Sequence, residues 1–267
     1  MRASAVRGGL AVLLVAAFAL SACVSGPGPI EHTFARSPDG PRAGASRMLG
    51  DVRSGRFEAY VVGDPESSRG LVLFHEWWGL TESVRAEADR YAEVGYYVVA
   101  PNLYGRMATT NSRVARRYMR GLDQRAADRM VAAALEVAGI GGRPVGVLGW
   151  CFGGGQALRA ALENPGRVNA VVTYYGELET NPERLSLLRA PVLGIFAEQD
   201  NWITPARVAE FTQAMASADR LLEVASYDAG HAFANPSGPN YEGEAARDAR
   251  ALTERFLDTH LLGAGTR

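Results

Sequence analysis

Three side chains in this sequence are ordered and spaced as a nucleophile, an acid and a base: Cys151, Asp200 and His231, separated by 49 and 31 residues. Cys151 sits in Gly149-Trp150-Cys151-Phe152-Gly153-Gly154, after the apolar run 144–148 and ahead of a helical pattern. That is the form of a nucleophile elbow with Cys in the place of Ser. The nucleophile of such a turn rides on strained backbone, so the residues two before and two after it must lack side chains. Gly149 and Gly153 hold those places. The helix that opens at the turn brings its positive dipole end and its free N–H groups to the sulfur, which suits a nucleophile and a developing oxyanion. Asp200 follows the apolar run 192–197, and His231 lies in the loop after the run 221–225. Taken singly, Asp200 reads as a helix cap and His231 as a surface histidine. Taken together after an elbow, in the chain order nucleophile, acid, base, they read as the acid and base of a triad.

The elements that must position these groups follow from the periodicity. Short β-rich runs bounded by Gly, Pro or Asp predict strands at 57–62, 70–74, 95–100, 144–148, 168–174, 192–197 and 221–225. Most are continuously apolar, as a sheet buried on both faces requires. Between them, helical patterns cover 83–94, 113–138, 154–163, 205–216 and 242–262, with Thr204-Pro205 a cap and first-turn pair. Alternating strands and helices predict an α/β fold, a three-layer sandwich around a mostly parallel sheet. Its ligands would sit outside the carboxyl ends of the strands.

Composition narrows the chemistry. The chain has 267 residues, 47% of them hydrophobic, and a formal net charge of −1, so no basic surplus points to nucleic acid or to anionic lipid. All 28 basic residues are Arg, and the absence of Lys removes Walker-type phosphate loops and Schiff-base mechanisms. His32, His75, His231 and His260 lack paired helical spacing and only two Cys occur, so neither a metal site nor a cofactor is expected.

The N-terminus reads as an export signal. Arg2 and Arg7 precede the apolar run 10–20, which is too short to span a bilayer. The run leads into Leu20-Ser21-Ala22-Cys23, which resembles the lipobox of bacterial lipoproteins. The expected organisation is a signal peptide over 1–22, a lipidated Cys23 with a flexible linker over 23–45, and one domain over 46–267. Acyl chains on Cys23 would anchor the protein to a lipid bilayer. Val24 in place of an Asp favours the outer membrane, facing the periplasm.

Beyond the elbow, FHEWWGL (74–80), APNLYGR (100–106), TYYG (173–176), AEQD (197–200) and AGHAF (229–233) resemble the dienelactone hydrolase family. The resemblance implies an α/β-hydrolase fold. It further implies that Cys151 is the nucleophile, His231 the general base and then acid, and Asp200 the group that orients His231. The oxyanion hole would be the backbone N–H groups of Phe152 and Trp77, and Glu76 would interact with the resting thiol. Arg106 matches one of two arginines that grip a substrate carboxylate in the family. The other place, four residues after His231, is taken by Asn235, which cannot form a bidentate ion pair. Tyr104 joins Trp77, Trp78, Trp150 and Phe152 as a candidate aromatic wall. The implied activity is carboxymethylenebutenolidase-like cleavage of a small ester or lactone through a thioester acyl-enzyme, by a monomer. The alternatives are a thioesterase or acyl hydrolase with the same triad, and a non-catalytic envelope protein that binds a small ligand.

Overall fold

The apolar runs do assemble into one sheet buried on both faces. The computed structural model describes residues 44–50 and 55–262. The signal segment, Cys23 and nearly all of the expected linker lie outside the described residues. The elements run β1 (Ala45–Leu49), β2 (Phe57–Val62), β3 (Gly70–Phe74), α1 (Glu82–Glu93), β4 (Tyr97–Pro101), α2 (Ser112–Arg120), α3 (Gln124–Ala138), β5 (Val145–Trp150), α4 (Phe152–Glu163), β6 (Ala170–Tyr174), α5 (Pro182–Leu185), β7 (Val192–Ala197), α6 (Pro205–Ser217), β8 (Leu222–Tyr227) and α7 (Gly243–Leu262). The strands lie in the order β1-β2-β4-β3-β5-β6-β7-β8. β1 and β2 pair antiparallel, as do β2 and β4, and every other pairing is parallel.

Alternation within the strands builds two cores. Val72 and Phe74 of β3 face one layer with Val131 and Leu135 of α3 and Phe211 of α6. Leu71 and Leu73 face the other with Tyr91 of α1 and Phe256 and Leu257 of α7. This is the three-layer sandwich that the periodicity predicts, and its mostly parallel sheet is that of the α/β-hydrolase fold that the resemblance implies. Phe74 and Phe211 are fully buried, and truncation of either to Ala should cost about 3–5 kcal/mol through lost packing and a residual cavity.

Two local expectations need correction. The single helix expected over 113–138 is two helices. Gly121 ends α2, and Asp123 caps α3 by accepting the Ala126 N–H at 3.1 Å, so the chain turns where the Arg-rich pattern continues unbroken. The chain expected to be a linker up to about residue 45 is followed at once by an exposed edge strand, β1. β1 is held by backbone pairing to β2 rather than by burial, so it carries no apolar alternation to read. The parallel strands β3, β5, β7 and β8 deliver their carboxyl ends to one edge of the sheet, and all the candidate groups collect there.

Candidate active site

The elbow is strained in the way its glycines require. Cys151 has φ 52° and ψ −118°, a conformation that L-residues rarely adopt, between β5 and α4. A Cβ on Gly149 would lie 2.1 Å from the Gly153 carbonyl oxygen, and one on Gly153 would lie 2.2 Å from the Phe74 carbonyl oxygen. No side chain fits at either place. The Cys151 N–H donates to the Tyr174 carbonyl at 2.9 Å, which ties the strained residue to the neighbouring strand. Cys151 itself is partly exposed.

His231 reaches both partners from the loop after β8. Its Nε2 is 3.3 Å from Cys151 Sγ and its Nδ1 is 2.6 Å from Asp200 Oδ2. Asp200 is buried, and its other oxygen accepts the Trp202 N–H at 2.7 Å and the Ile203 N–H at 3.0 Å. Burial alone would raise the pKa of this carboxyl, but the bond to His231 and the two backbone donors outweigh it and hold the group ionised. Burial likewise works to lower the pKa of His231. The bond to Asp200 and then the interaction with Cys151 reverse the sign, so the imidazole is a stronger base than usual. Tyr175 and Trp202 flank the imidazole, with ring centroids 5.1 and 5.8 Å away.

The two candidate oxyanion donors remain available. Phe152 is the first residue of α4, where a helix leaves its N–H without an internal partner. Neither its N–H nor that of Trp77 donates to an acceptor among the described residues. The Trp77 loop is braced by His75, which is fully buried: Nδ1 lies 2.7 Å from the Glu76 carbonyl, and Nε2 accepts the Leu103 N–H at 3.2 Å. Desolvation drives the pKa of His75 down to about 4, so it is neutral, with the proton on Nδ1. Its ring also stacks on Phe152 at 5.8 Å, so one side chain contacts both segments that carry the donors.

Glu76 lies beside this centre in a different state. Asn235 Nδ2 donates to its Oε2 at 2.5 Å. Part of the residue's surface is open, but the carboxyl is enclosed. Desolvation raises its pKa to about 7 against the opposing pull of His231 and the Asn235 bond. Tyr104 packs its ring on His75 and Phe152 with its hydroxyl buried and unbonded among the described residues. Arg106 is exposed, with its guanidinium 5.6 Å from the Tyr118 ring centroid.

A cavity of about 420 Å³ opens on Cys151, Phe152, Trp77, Tyr175, Trp202 and His231 and runs along α4 past Leu158 and Leu162 to Arg159 and Arg184. Glu76, Tyr104, Arg106 and Asn235 are not among the residues that line it. Both lining arginines are neutralised: Arg159 pairs with Asp128 at 2.8 Å, and Arg184 pairs with Glu163 at 2.7 Å and Glu179 at 2.9 Å. Sequence reading passes over Tyr175 and Trp202 as site residues. The signal for Tyr175 is faint, because its left-handed backbone, φ 38°, is carried by a residue type that seldom adopts it.

With this geometry in hand, residues 57–261 match the model of the dienelactone hydrolase family. The chain belongs to that family. A relative from Escherichia coli (strain K12), named "Putative carboxymethylenebutenolidase", is 32% identical over 243 residues, which cover 82% of this chain and 88% of the relative. A protein of the same name from Saccharolobus solfataricus is 25% identical over 248 residues, 78% of this chain and 95% of its own. Among solved structures, the dienelactone hydrolase of Anabaena variabilis matches with a TM-score of 0.59 at 22% identity, covering 82% of this chain and 99% of that one. At that identity the likeness speaks for the fold. Family membership makes the chain a hydrolase, and the elbow, loops and sheet edge described above all fall inside the matched span.

Proposed function

We propose that this hydrolase cleaves uncharged carboxylic esters or lactones through Cys151, His231 and Asp200. The observation that carries the reading is the unbroken line Sγ–Nε2, Nδ1–Oδ2, at 3.3 and 2.6 Å, assembled from the ends of three parallel strands. Sγ attacks the carbonyl carbon while His231 Nε2 takes the thiol proton. The carbonyl oxygen becomes an oxyanion and is met by the Phe152 and Trp77 N–H groups. His231 then gives the proton to the leaving alkoxide, and a thioester remains on Cys151. Water, deprotonated by His231, attacks the thioester carbon; the C–S bond breaks, the acid is released and His231 returns the proton to Cys151 Sγ. Asp200 fixes the tautomer of His231 and stabilises its imidazolium.

The preference for uncharged substrates rests on the paired state of Arg159 and Arg184, the position of Arg106 outside the cavity, and Asn235 standing where the resemblance implies a second arginine. A carboxylate entering the cavity meets no uncommitted guanidinium. We further propose that the hydrolase works from the cell envelope, tethered by acyl chains on Cys23 to the periplasmic side of the outer membrane. The support for that location is the N-terminal sequence alone.

The test compares a neutral aryl ester with a carboxylated dienelactone, using the parent and Cys151→Ala. Turnover of the neutral ester that is lost in the variant is the expected result. Undiminished turnover by Cys151→Ala would overturn the nucleophile. Faster turnover of the carboxylated lactone than of the neutral ester would overturn the substrate assignment.

A further inference from the structure

We infer that α2, with the loop leading into it, docks this protein onto a bilayer surface of anionic headgroups. The inference is independent of the hydrolase reading. Arg113, Arg116, Arg117 and Arg120 stand at i, i+3, i+4 and i+7, which places them on one face of α2, and all four are exposed. Ala115, on another face of the helix, is buried, and Met119 lines the cavity. Arg106, Arg125 and Arg129 extend the exposed charge on either side. Residues 106–129 thus hold seven Arg against two Asp, in a chain whose formal net charge is −1. Those two acids are already engaged, Asp123 as the cap of α3 and Asp128 with Arg159.

The contrast with the rest of the surface is what points to a partner. Among the described residues, eight arginines elsewhere are ion-paired. Among the described residues, none of the four on α2 makes a guanidinium contact with an acid. Arg113 in the first turn opposes the helix dipole while Arg117 and Arg120 in the last turn suit it, so the cost that the stripe carries is the repulsion of like charges at these spacings. An external anion removes that cost.

The kind of anion follows from the residues around the stripe. Met107, next to Arg106 in the loop that enters α2, is 87% exposed, and Trp202 at the cavity is 54% exposed. Cations around an exposed apolar side chain suit a headgroup layer over hydrocarbon. A nucleic acid would instead call for exposed aromatic platforms among the cations, and the Tyr118 ring is covered by Arg106. Each arginine at an anionic leaflet strengthens partition by about fivefold. Because Met119 of the same helix lines the cavity, docking through α2 sets the cavity beside the bilayer, where apolar esters concentrate.

The experiment is co-sedimentation with vesicles, using residues 23–267 with Cys23→Ser, so that neither the apolar leader nor an acyl anchor contributes. Vesicles of equal parts phosphatidylcholine and phosphatidylglycerol are compared with pure phosphatidylcholine. R113Q/R116Q/R117Q/R120Q is compared with R56Q/R189Q/R247Q/R255Q, four exposed arginines away from α2 that give the same net charge. The expected result is binding to the anionic vesicles that falls at least about tenfold in the α2 variant and is kept in the control. Binding should also be lost at ~1 M salt, where charges are screened beyond ~3 Å. The four-fold Arg→Lys variant keeps the charge and should keep the binding, which separates charge from any fault in folding. Equal binding by both glutamine variants, binding to neutral vesicles as strong as to anionic ones, or retention on an anionic polysaccharide with no vesicle binding would each overturn the inference.

Discussion

The loops after β7 and β3 each bring a carboxylate to the same imidazole, and the two end in opposite states. Asp200 receives two backbone N–H groups and the His231 ring and stays ionised although it is buried. Glu76 receives one amide, from Asn235, feels His231 only through space, and is pushed up to about pH 7. Burial presses both toward the neutral form, so the number of donors that meet each charge decides the outcome. One carboxylate is therefore built to be a permanent anion that steers a base. The other is built to gain and lose a proton near neutral pH.

The difference can be broken at either end. Asp200→Asn keeps the shape but leaves the wrong tautomer of His231 facing Cys151, and kcat should fall by about 10³–10⁴-fold with KM little changed. Steady-state kinetics on a neutral aryl ester measures it, and a loss below about tenfold would mean that the Asp200 bond is structural only.

Glu76 should act on stability instead. Its folded pKa of about 7 lies above the usual 4.5, so the folded protein holds that proton more tightly than the unfolded chain. The stabilisation is complete below about pH 4.5 and is lost as pH rises to about 7. Glu76→Gln should thus match the parent at the acid end and exceed it above pH 7 by roughly 3 kcal/mol. Urea unfolding across that range reads it, and a constant difference at all pH values would contradict the raised pKa.

Asn235→Ala removes the only side-chain donor that meets the Glu76 carboxyl among the described residues. It should move the midpoint of that pH dependence upward by about 1–2 units, since one hydrogen bond to a charged group is worth about 1.5–3 kcal/mol. An unmoved midpoint would mean that Asn235 does not tune Glu76. The smallest effect is expected from Arg106→Ala, which touches neither carboxylate nor the cavity: under about twofold in kcat/KM on neutral and anionic esters alike, by the same kinetics. A selective loss on anionic esters would return Arg106 to the substrate.

The contrast between these loops also marks what a sequence can carry. The elbow was legible because a Cβ on Gly149 or Gly153 would lie 2.1 or 2.2 Å from a carbonyl oxygen, and such a constraint leaves only one residue type. Asp200 and His231 were legible through order and strand ends, and the buried strands through their unbroken apolar runs. The Glu76–Asn235 bond was not, because it joins residues 159 positions apart by a contact that either could make with many partners. The placement of Arg106 outside the cavity was hidden for a related reason: a long side chain at a strand-end loop has many directions open to it. The break between α2 and α3 rests on Gly121 and Asp123, two short signals inside an Arg-rich pattern that continues on both sides of them. β1 had no signal, since an exposed edge strand is held by its backbone.

The central claim is that Cys151 carries the acyl group. Rapid mixing of the protein with an activated aryl ester, acid quenching and mass analysis of the peptide containing residue 151 tests it directly. The account predicts a burst of one aryl leaving group per chain and an acyl mass increment on Cys151, with both absent in Cys151→Ala. An acyl group on another residue, or turnover in the parent with no covalent intermediate and undiminished in Cys151→Ala, would contradict it.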